Sequence, residues 1–350
     1  MHIFNKTCFY CPLQFFLICY NDKKRTEEFP MNKQSVLYQE LTQEELLRIM
    51  TAVFPGEQVT GFHLLSGGLF NTTYRVVTDG HDVVLRMGPV HRELLLPYEH
   101  SLMAAEATVN KLCLENGVPA SVVVHLDTSK TIIDRDFMVV NHIDSIPLSD
   151  SSIPEEAAAE IQLACGQLAR KIHSVTGGGF GRVSKVAAGE CFANWYDAVA
   201  AEFTDIFQAA EKYGLFDSAF RQRTLAFVAE RRALLDTVTA PRLVHADLWA
   251  GNILVRKQDT GYEVCAIIDG DRAFFGDPDF DLATPWLITP AFLSGYGEKH
   301  SKLSVEDTAK KNAVYALLLA LHDAYVWTVE YSRPDIGEEN IATANKILHT

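Results

Sequence analysis

The spacing of apolar residues changes character once along this chain, near Pro147, and that change limits the fold more than any other feature. Residues 41–53 carry a helical pattern that opens with Thr42 and Glu45 at capping-box spacing. The period then drops to two. VTGFHLL (59–65), TTYRVVT (72–78), DVVLRMG (82–88), SVVVHLD (121–127) and DFMVVNHI (136–143) read as five strands, with turn signals at Ser66-Gly67-Gly68 and Asp79-Gly80. One helix, 98–117, follows the third strand and stops at Asn116-Gly117, with Pro119 beyond it. After Pro147 the period lengthens to that of helices over 153–175, 194–212, 216–236, 279–288, 304–330 and 336–348, interrupted by short strands at 243–244, 253–255 and 263–269. The prediction is an α+β chain in two lobes: a small antiparallel sheet with one inserted helix, then a larger, mainly helical body. Clefts between lobes are where ligands commonly sit.

The 350 residues allow two such lobes. Residues 31–143 are read as the first and 144–350 as the second, with 1–30 as a disordered extension or a mis-assigned start. A net charge of −14 argues against a nucleic-acid partner, which usually needs a basic face. No run reaches the roughly 18 apolar residues of a membrane span, so no membrane partner and a cytoplasmic location are expected. The cysteines Cys8, Cys11, Cys19, Cys113, Cys165, Cys191 and Cys265 are scattered and odd in number, as reduced thiols would be. GGGFG (177–181) follows a helix and lacks dinucleotide-loop spacing, so it reads as a helix C-cap and turn. No phosphate-binding G-x-x-x-x-G-K-[ST] occurs, and DGDRAFFGDPDFD (269–281) departs from a calcium loop at Ala273, Phe274 and Phe280.

LVHADLWAGNILV (243–255) places three polar groups between two apolar strand ends. His245, Asp247 and Asn252 stand as H-x-D-L-x-x-x-N, the arrangement of a phosphoryl-transfer loop. Asp247 is the expected base for an acceptor hydroxyl, Asn252 a hard oxygen ligand for Mg²⁺, and His245 the scaffold of the loop. Asp269, ending the strand 263–269, is the second metal ligand. In the small lobe, Ser66, Gly67 and Gly68 offer backbone N–H groups to phosphates, Arg86 a fixed cation, and Glu106 a partner for that cation. Backbone near Val140 to His142 falls where an adenine edge would meet the crossing between lobes. Trp249 either stacks on a sugar or packs locally. Asp271, with Asp279, Glu306, Asp307, Asp323 and Glu330, could receive ammonium groups of an acceptor or simply form a solvated acidic face.

HADLWAGN (245–252), IIDGDRAFFGDPDFDLA (267–283), the weaker LSGGLFNTTYRV and VVLRM segments, and Glu106 together resemble the aminoglycoside phosphotransferase family of small-molecule kinases. The resemblance runs over roughly residues 45 to 330 and implies the two-lobed protein-kinase-like fold. It further implies ATP and Mg²⁺ as cofactors, Asp247 as base, Asn252 and Asp269 on the metal, Arg86 in place of the nucleotide-binding lysine, and Asp277 and Asp281 as structural acids. Three positions depart from the family pattern: Arg86 replaces Lys, Ala246 stands where Gly or Arg is usual, and Gly270 where an aromatic residue is frequent. The acceptor implied is a hydroxylated small molecule such as an aminoglycoside or amino sugar. HADLW is also similar to fructosamine-kinase loops, and a choline-type substrate or a catalytically silent nucleotide-binding regulator are the alternatives. A protein kinase is disfavoured because no A-P-E-like segment follows Asp269.

Overall fold

Five antiparallel strands build the predicted sheet in the order β1-β2-β3-β5-β4: β1 Val59–Leu64, β2 Thr72–Thr78, β3 Asp82–Met87, β4 Val123–Asp127 and β5 Phe137–Asn141. The structure, a computed structural model, describes residues 35–65, 70–283 and 287–350. Alternation in β2 decides which face is covered: Tyr74 and Val76 point inward with Leu85, Phe137 and Val139. That face meets helix α1 (Gln43–Val53) through Leu46, Ile49 and Met50. Thr42 caps α1, accepting the Glu45 N–H while Glu45 bonds the Thr42 backbone in return. The opposite face presents Met138 and Val140 to Met103 of helix α2 (Leu102–Glu115). Helix α2 stops where Gly117 takes φ +68°, a conformation cheap only without a Cβ.

The second lobe follows a two-residue strand β6 (Ile146–Pro147) and is organised by helices α3 (Glu155–Ile172), α5 (Trp195–Glu211), α6 (Ser218–Glu230) and α10 (Val305–Tyr325). Trp195, Phe203 and Phe207 of α5 pack with Val314, Leu317 and Leu321 of α10 in one core. A second core sets Ile161, Cys165 and Ala169 of α3 against Leu243 of strand β8 (Arg242–Val244), Ile253 and Val255 of β9 (Ile253–Lys257) and Ile267 of β10 (Tyr262–Ile267). Each buried aliphatic or aromatic side chain there contributes about 1.5–3 kcal/mol relative to exposure.

Several local expectations are corrected. The helix over 216–236 breaks at Arg231 and resumes as α7 (Arg232–Leu235). Of the helix over 279–288, α8 (Asp279–Ala283) is described, 284–286 lie outside the described residues and 287–288 are not helical, whereas 304–330 holds as α10 followed by one π-turn, Val326–Glu330. The last helix, α11, runs Pro334–Ile347. GGGFG is not a helix cap, since α3 already ends at Ile172. Its glycines admit close neighbours instead: a Cβ on Gly177 would lie 2.4 Å from the Phe275 ring and one on Gly179 2.4 Å from Cys191 Sγ. Periodicity missed the short helices α4 (Val183–Ala187) and α9 (Pro290–Tyr296), although the second carries its own start signal: Thr289 caps Phe292 N–H and Pro290 occupies the first turn. The readings of residues 1–30 and of Cys8, Cys11 and Cys19 lie outside the described residues. Cys113, Cys165, Cys191 and Cys265 are free thiols. Among the described residues, no helix is long and apolar enough to cross a membrane.

Helices α3 and α9 meet backbone to backbone. A Cβ on Gly166 would fall 2.0 Å from Phe292 O, and one on Gly295 2.0 Å from Leu163 O. Gly166 sits mid-helix and Gly295 in the last turn of α9, where glycine costs helix propensity, because the neighbouring helix leaves no room for a methyl group. Gly166→Ala is therefore expected to destabilise the protein by about 1–3 kcal/mol through overpacking, despite the better helix former. Urea unfolding checks it, and an unchanged midpoint would mean that α3 and α9 are not in contact.

Candidate active site

The loop between β8 and β9 is held from below by one carboxylate. Asp281 accepts the backbone N–H of His245 at 2.9 Å and of Ala246 at 2.8 Å, and pairs with His173 Nε2 at 3.0 Å. All four residues are buried, and the side chains of His173 and Asp281 are 0% and 2% exposed. His173 in turn bonds Tyr296 Oη through Nδ1 at 2.7 Å. Burial disfavours the Asp281 charge, but His173, His245 and the two N–H donors outweigh it and hold its carboxyl below the ordinary range. Ala246 adopts φ +65°, which costs an L-residue about 1–2 kcal/mol. This gives the Ala246 departure a physical consequence: the usual glycine would be unstrained there.

His245 has the scaffold role expected of it. Asp247 N–H donates to His245 Nδ1 at 3.3 Å, which places the ring proton on Nε2, facing Ile268 O at 3.0 Å. The catalytic loop is thereby tied to the strand that ends in Asp269. Asn252 Nδ2 donates to the Asp247 carbonyl at 2.9 Å and to its Oδ2 at 3.0 Å. Both amide protons are spent on Asp247, and among the described residues Asn252 Oδ1 takes no hydrogen bond. The Trp249 ring lies over Gly251, where a Cβ would approach it to 2.3 Å, so Trp249 packs within its own loop.

Asp269 ends the neighbouring strand in the left-handed region, φ +61°. Arg86, reaching across from β3, forms ion pairs with both Glu106 of α2 and Asp269. Glu106, Asp269 and Asp271 bring ligand oxygens within 4.8 Å of one another. Arg86 pairs with two of the three carboxylates, and the charge of Arg272 also acts on Asp269 and Asp271. Burial, assisted by Asp269 and opposed by Arg86, pushes Glu106 up to about 7. Burial, Asp269 and Glu106 push Asp271 well above the usual range. For Asp269 the attraction of Arg86 overcomes desolvation and keeps the carboxyl low. Gly270 closes the arrangement: a Cβ there would lie 2.6 Å from Val109 Cγ1, so the glycine packs this turn tightly on α2 rather than loosening it.

Not every predicted residue joins the site. Ser66, Gly67 and Gly68 lie outside the described residues. Val140 lies inside the sheet, in register with Val84 and Val123, and the His142 N–H donates to Asp82 O at 3.1 Å. Asp271, considered as an ammonium receptor, belongs to the carboxylate cluster instead. Asp279 is buried against Lys311 at 3.1 Å, Glu306 pairs with Lys310, Asp307 caps its own helix with Ser304, Asp323 faces His322 at 3.2 Å, and Glu330 is fully buried. Asp277 accepts from Tyr315 and Lys311 in the same interior. Sequence reading overlooked His173, whose position at the C-terminus of α3 carried no spacing signal.

A two-lobed kinase-like fold with this loop defines a small-molecule kinase. The phosphotransferase enzyme family model matches residues 61–308, and the chain belongs to that family. No curated protein sequence matches the chain. Among solved structures, a protein of Haemophilus somnus 129PT assigned as a fructosamine-3-kinase is similar with a TM-score of 0.62 at 13% identity, covering 87% of this chain and 96% of its own. A thermostable variant of aminoglycoside phosphotransferase APH(4)-Ia, in ternary complex with AMP-PNP and hygromycin B, gives 0.60 at 16% identity, covering 86% and 97%. The GDP and kanamycin complex of APH(2")-IIia gives 0.59 at 16%, with 86% and 97% covered. At these identities the likeness is one of fold.

Two outcomes are expected. In Asp281→Asn the amide can accept from one loop N–H but presents its NH₂ to the other, leaving a buried donor unmet at a cost of about 1–3 kcal/mol; chemical unfolding and turnover should fall together, and parental values for both would remove Asp281 as the anchor. The second concerns pH. Because the folded-state Glu106 pKa is raised, its protonated form stabilises the metal-free protein at low pH, and that contribution is lost as pH climbs from the ordinary glutamate range through about 7. Glu106→Gln should flatten this part of the stability–pH curve, measured by thermal unfolding without divalent cations.

Proposed function

We propose that this phosphotransferase moves the γ-phosphoryl group of ATP, bound with Mg²⁺, to a hydroxyl of a small molecule. The observation that supports the reading is the fixing of Asp247 by Asn252, whose backbone carbonyl accepts the N–H of Ile268 at 2.9 Å, next to the Asp269 that pairs with Arg86. Asp247 takes the proton of the acceptor hydroxyl as that oxygen forms its bond to the γ-phosphorus. The bond from the γ-phosphorus to the β,γ-bridging oxygen breaks, and ADP leaves with the electron pair. His245 and Asn252 keep the Asp247 carboxylate aimed and remove the entropy of finding that geometry. Arg86, released in part from its carboxylates when phosphates enter, holds the nucleotide with Glu106 behind it.

The residues present suit a magnesium ion. Asn252 Oδ1 and Asp269 offer hard oxygens, and Glu106, Asp269 and Asp271 bring carboxylate oxygens within 4.8 Å of one another. An ion held by Asn252 and Asp269 would supply charge neutralisation to the nucleotide phosphates. The expected result for Asp247→Ala is nearly unchanged nucleotide affinity with kcat lower by about 10²–10⁴-fold, the range for removal of a general base. Asp269→Ala should weaken Mg-ATP binding as well. Calorimetric titration and ADP release across an acceptor panel separate these effects, and equal turnover in Asp247→Ala and the parent would overturn the role of Asp247.

A further inference from the structure

Glu330 is 0% exposed, yet among the described residues neither oxygen of its carboxyl receives a hydrogen bond. A buried carboxylate without donors is among the costliest groups a fold can hold. The group that meets Glu330 is a second carboxyl, Glu99, itself 3% exposed, and the two are hydrogen-bonded to each other. Two carboxyl groups can form that bond only when one of them carries a proton.

The partners of Glu99 decide which one does. Its Oε2 accepts the Leu96 N–H at 2.9 Å and its Oε1 the Tyr98 O–H at 3.2 Å. Because the Tyr98 proton is spent there, His322 Nε2 is the donor to Tyr98 Oη at 2.7 Å. Glu99 thus has the donors that stabilise a charge, and Glu330 has none. The other charged and titratable groups around the pair are Arg272, Tyr325 and, behind His322, Asp323. Arg272 favours the charged form of both carboxyls, but burial and the adjacent Glu99 charge outweigh it at Glu330 and push that carboxyl well above the usual range. Burial opposes the Glu99 charge too, and there His322, the Glu330 bond and Arg272 win, holding it below the usual range.

The pair joins two segments that are far apart in the chain. Glu99 lies in the short turn Pro97–Ser101, which runs straight into α2 and so toward Glu106. Glu330 closes the π-turn after α10, and Ser35 Oγ donates to its backbone carbonyl at 3.0 Å. From α10 itself, Tyr325 Oη donates to Leu94 O at 2.7 Å, on the same approach to α2. We infer that Glu330 is a positioning residue: a neutral carboxylic acid whose O–H donates to the Glu99 carboxylate and fixes the start of α2, so that Glu106 stands behind Arg86 when Mg-ATP binds. The role in nucleotide binding rests on the kinase reading given above; the shared proton does not.

The proton and the positioning are read separately. In infrared spectra at neutral pH, the difference between the parent and Glu330→Gln should show a carboxylic-acid C=O band that the variant lacks, and no such band would overturn the proton. Glu330→Gln keeps a donor for Glu99 and should bind Mg-ATP as tightly as the parent in calorimetric titration. Glu330→Ala, which removes the donor, should weaken that affinity by about tenfold, the scale of one hydrogen bond to a charged group. Because the Glu330 carboxyl is raised in the folded protein, its contribution to stability is lost as pH climbs from the ordinary glutamate range through its folded value. Glu330→Gln should therefore remove this residue's share of the fall in thermal stability, and any alkaline loss of Mg-ATP affinity with it. Should Glu330→Ala fail to fold, the infrared band and the pH dependence of Glu330→Gln still decide. Equal loss of affinity in Glu330→Gln and Glu330→Ala would overturn the neutral donor, and parental affinity and pH dependence in both would overturn the positioning role. Turnover no greater than that of Asp247→Ala with every acceptor, beside the expected band and affinities, would remove the kinase reading alone.

Discussion

Two short hydrogen bonds from a loop backbone to the Asp281 carboxylate carry the rest of the site. A loop that ends two strands and exposes a carboxylate cannot satisfy its own N–H groups, and burying them unmet would cost several kcal/mol. Asp281 meets those of His245 and Ala246 at once, and its charge is tolerated because His173 lies against it. His173 ends α3, whose Gly166 lets α9 approach and whose contact Tyr296 comes from that same helix. The aim of Asp247 therefore depends on helix packing remote from the reacting atoms. The strained φ of Ala246 is sustained by the same anchor.

The second constraint is electrostatic. Glu106, Asp269 and Asp271 crowd together beside Arg86, and burial with the neighbouring carboxylate charge raises Glu106 and Asp271 while Arg86 keeps Asp269 low. Because Gly270 packs directly on Val109, α2 with Glu106 and the turn with Asp269 are coupled mechanically as well as by charge. A side chain at Gly270 would separate the two groups that Arg86 joins. The frequent aromatic residue of the family is absent here for a reason visible in the packing.

Much of this was legible in the sequence where a local rule governs. The capping box at Thr42, the alternation in 72–78 and the stop at Gly117 depend on neighbouring residues, and each appears as expected. H-x-D-L-x-x-x-N also survived, because its spacing is set by one tight loop. What pattern reading lost was long-range. Nothing near His173 announces Asp281, 108 residues away. Trp249 could stack or pack by sequence, and Gly251 beneath its ring decides for packing. The acidic residues of the last third looked like a face for ammonium groups because periodicity cannot tell a solvated carboxylate from one buried against Lys311 or shared within a helix cap.

The central claim is transfer from ATP to a hydroxyl with Asp247 as base. Phosphorus NMR of the protein with Mg-ATP and a mixture of hydroxylated small molecules tests it most directly. A phosphate-monoester resonance growing in step with the loss of the γ-phosphorus signal, and absent with Asp247→Ala, is the result predicted. ATP consumed to inorganic phosphate alone, or a monoester formed equally well by Asp247→Ala, would contradict it.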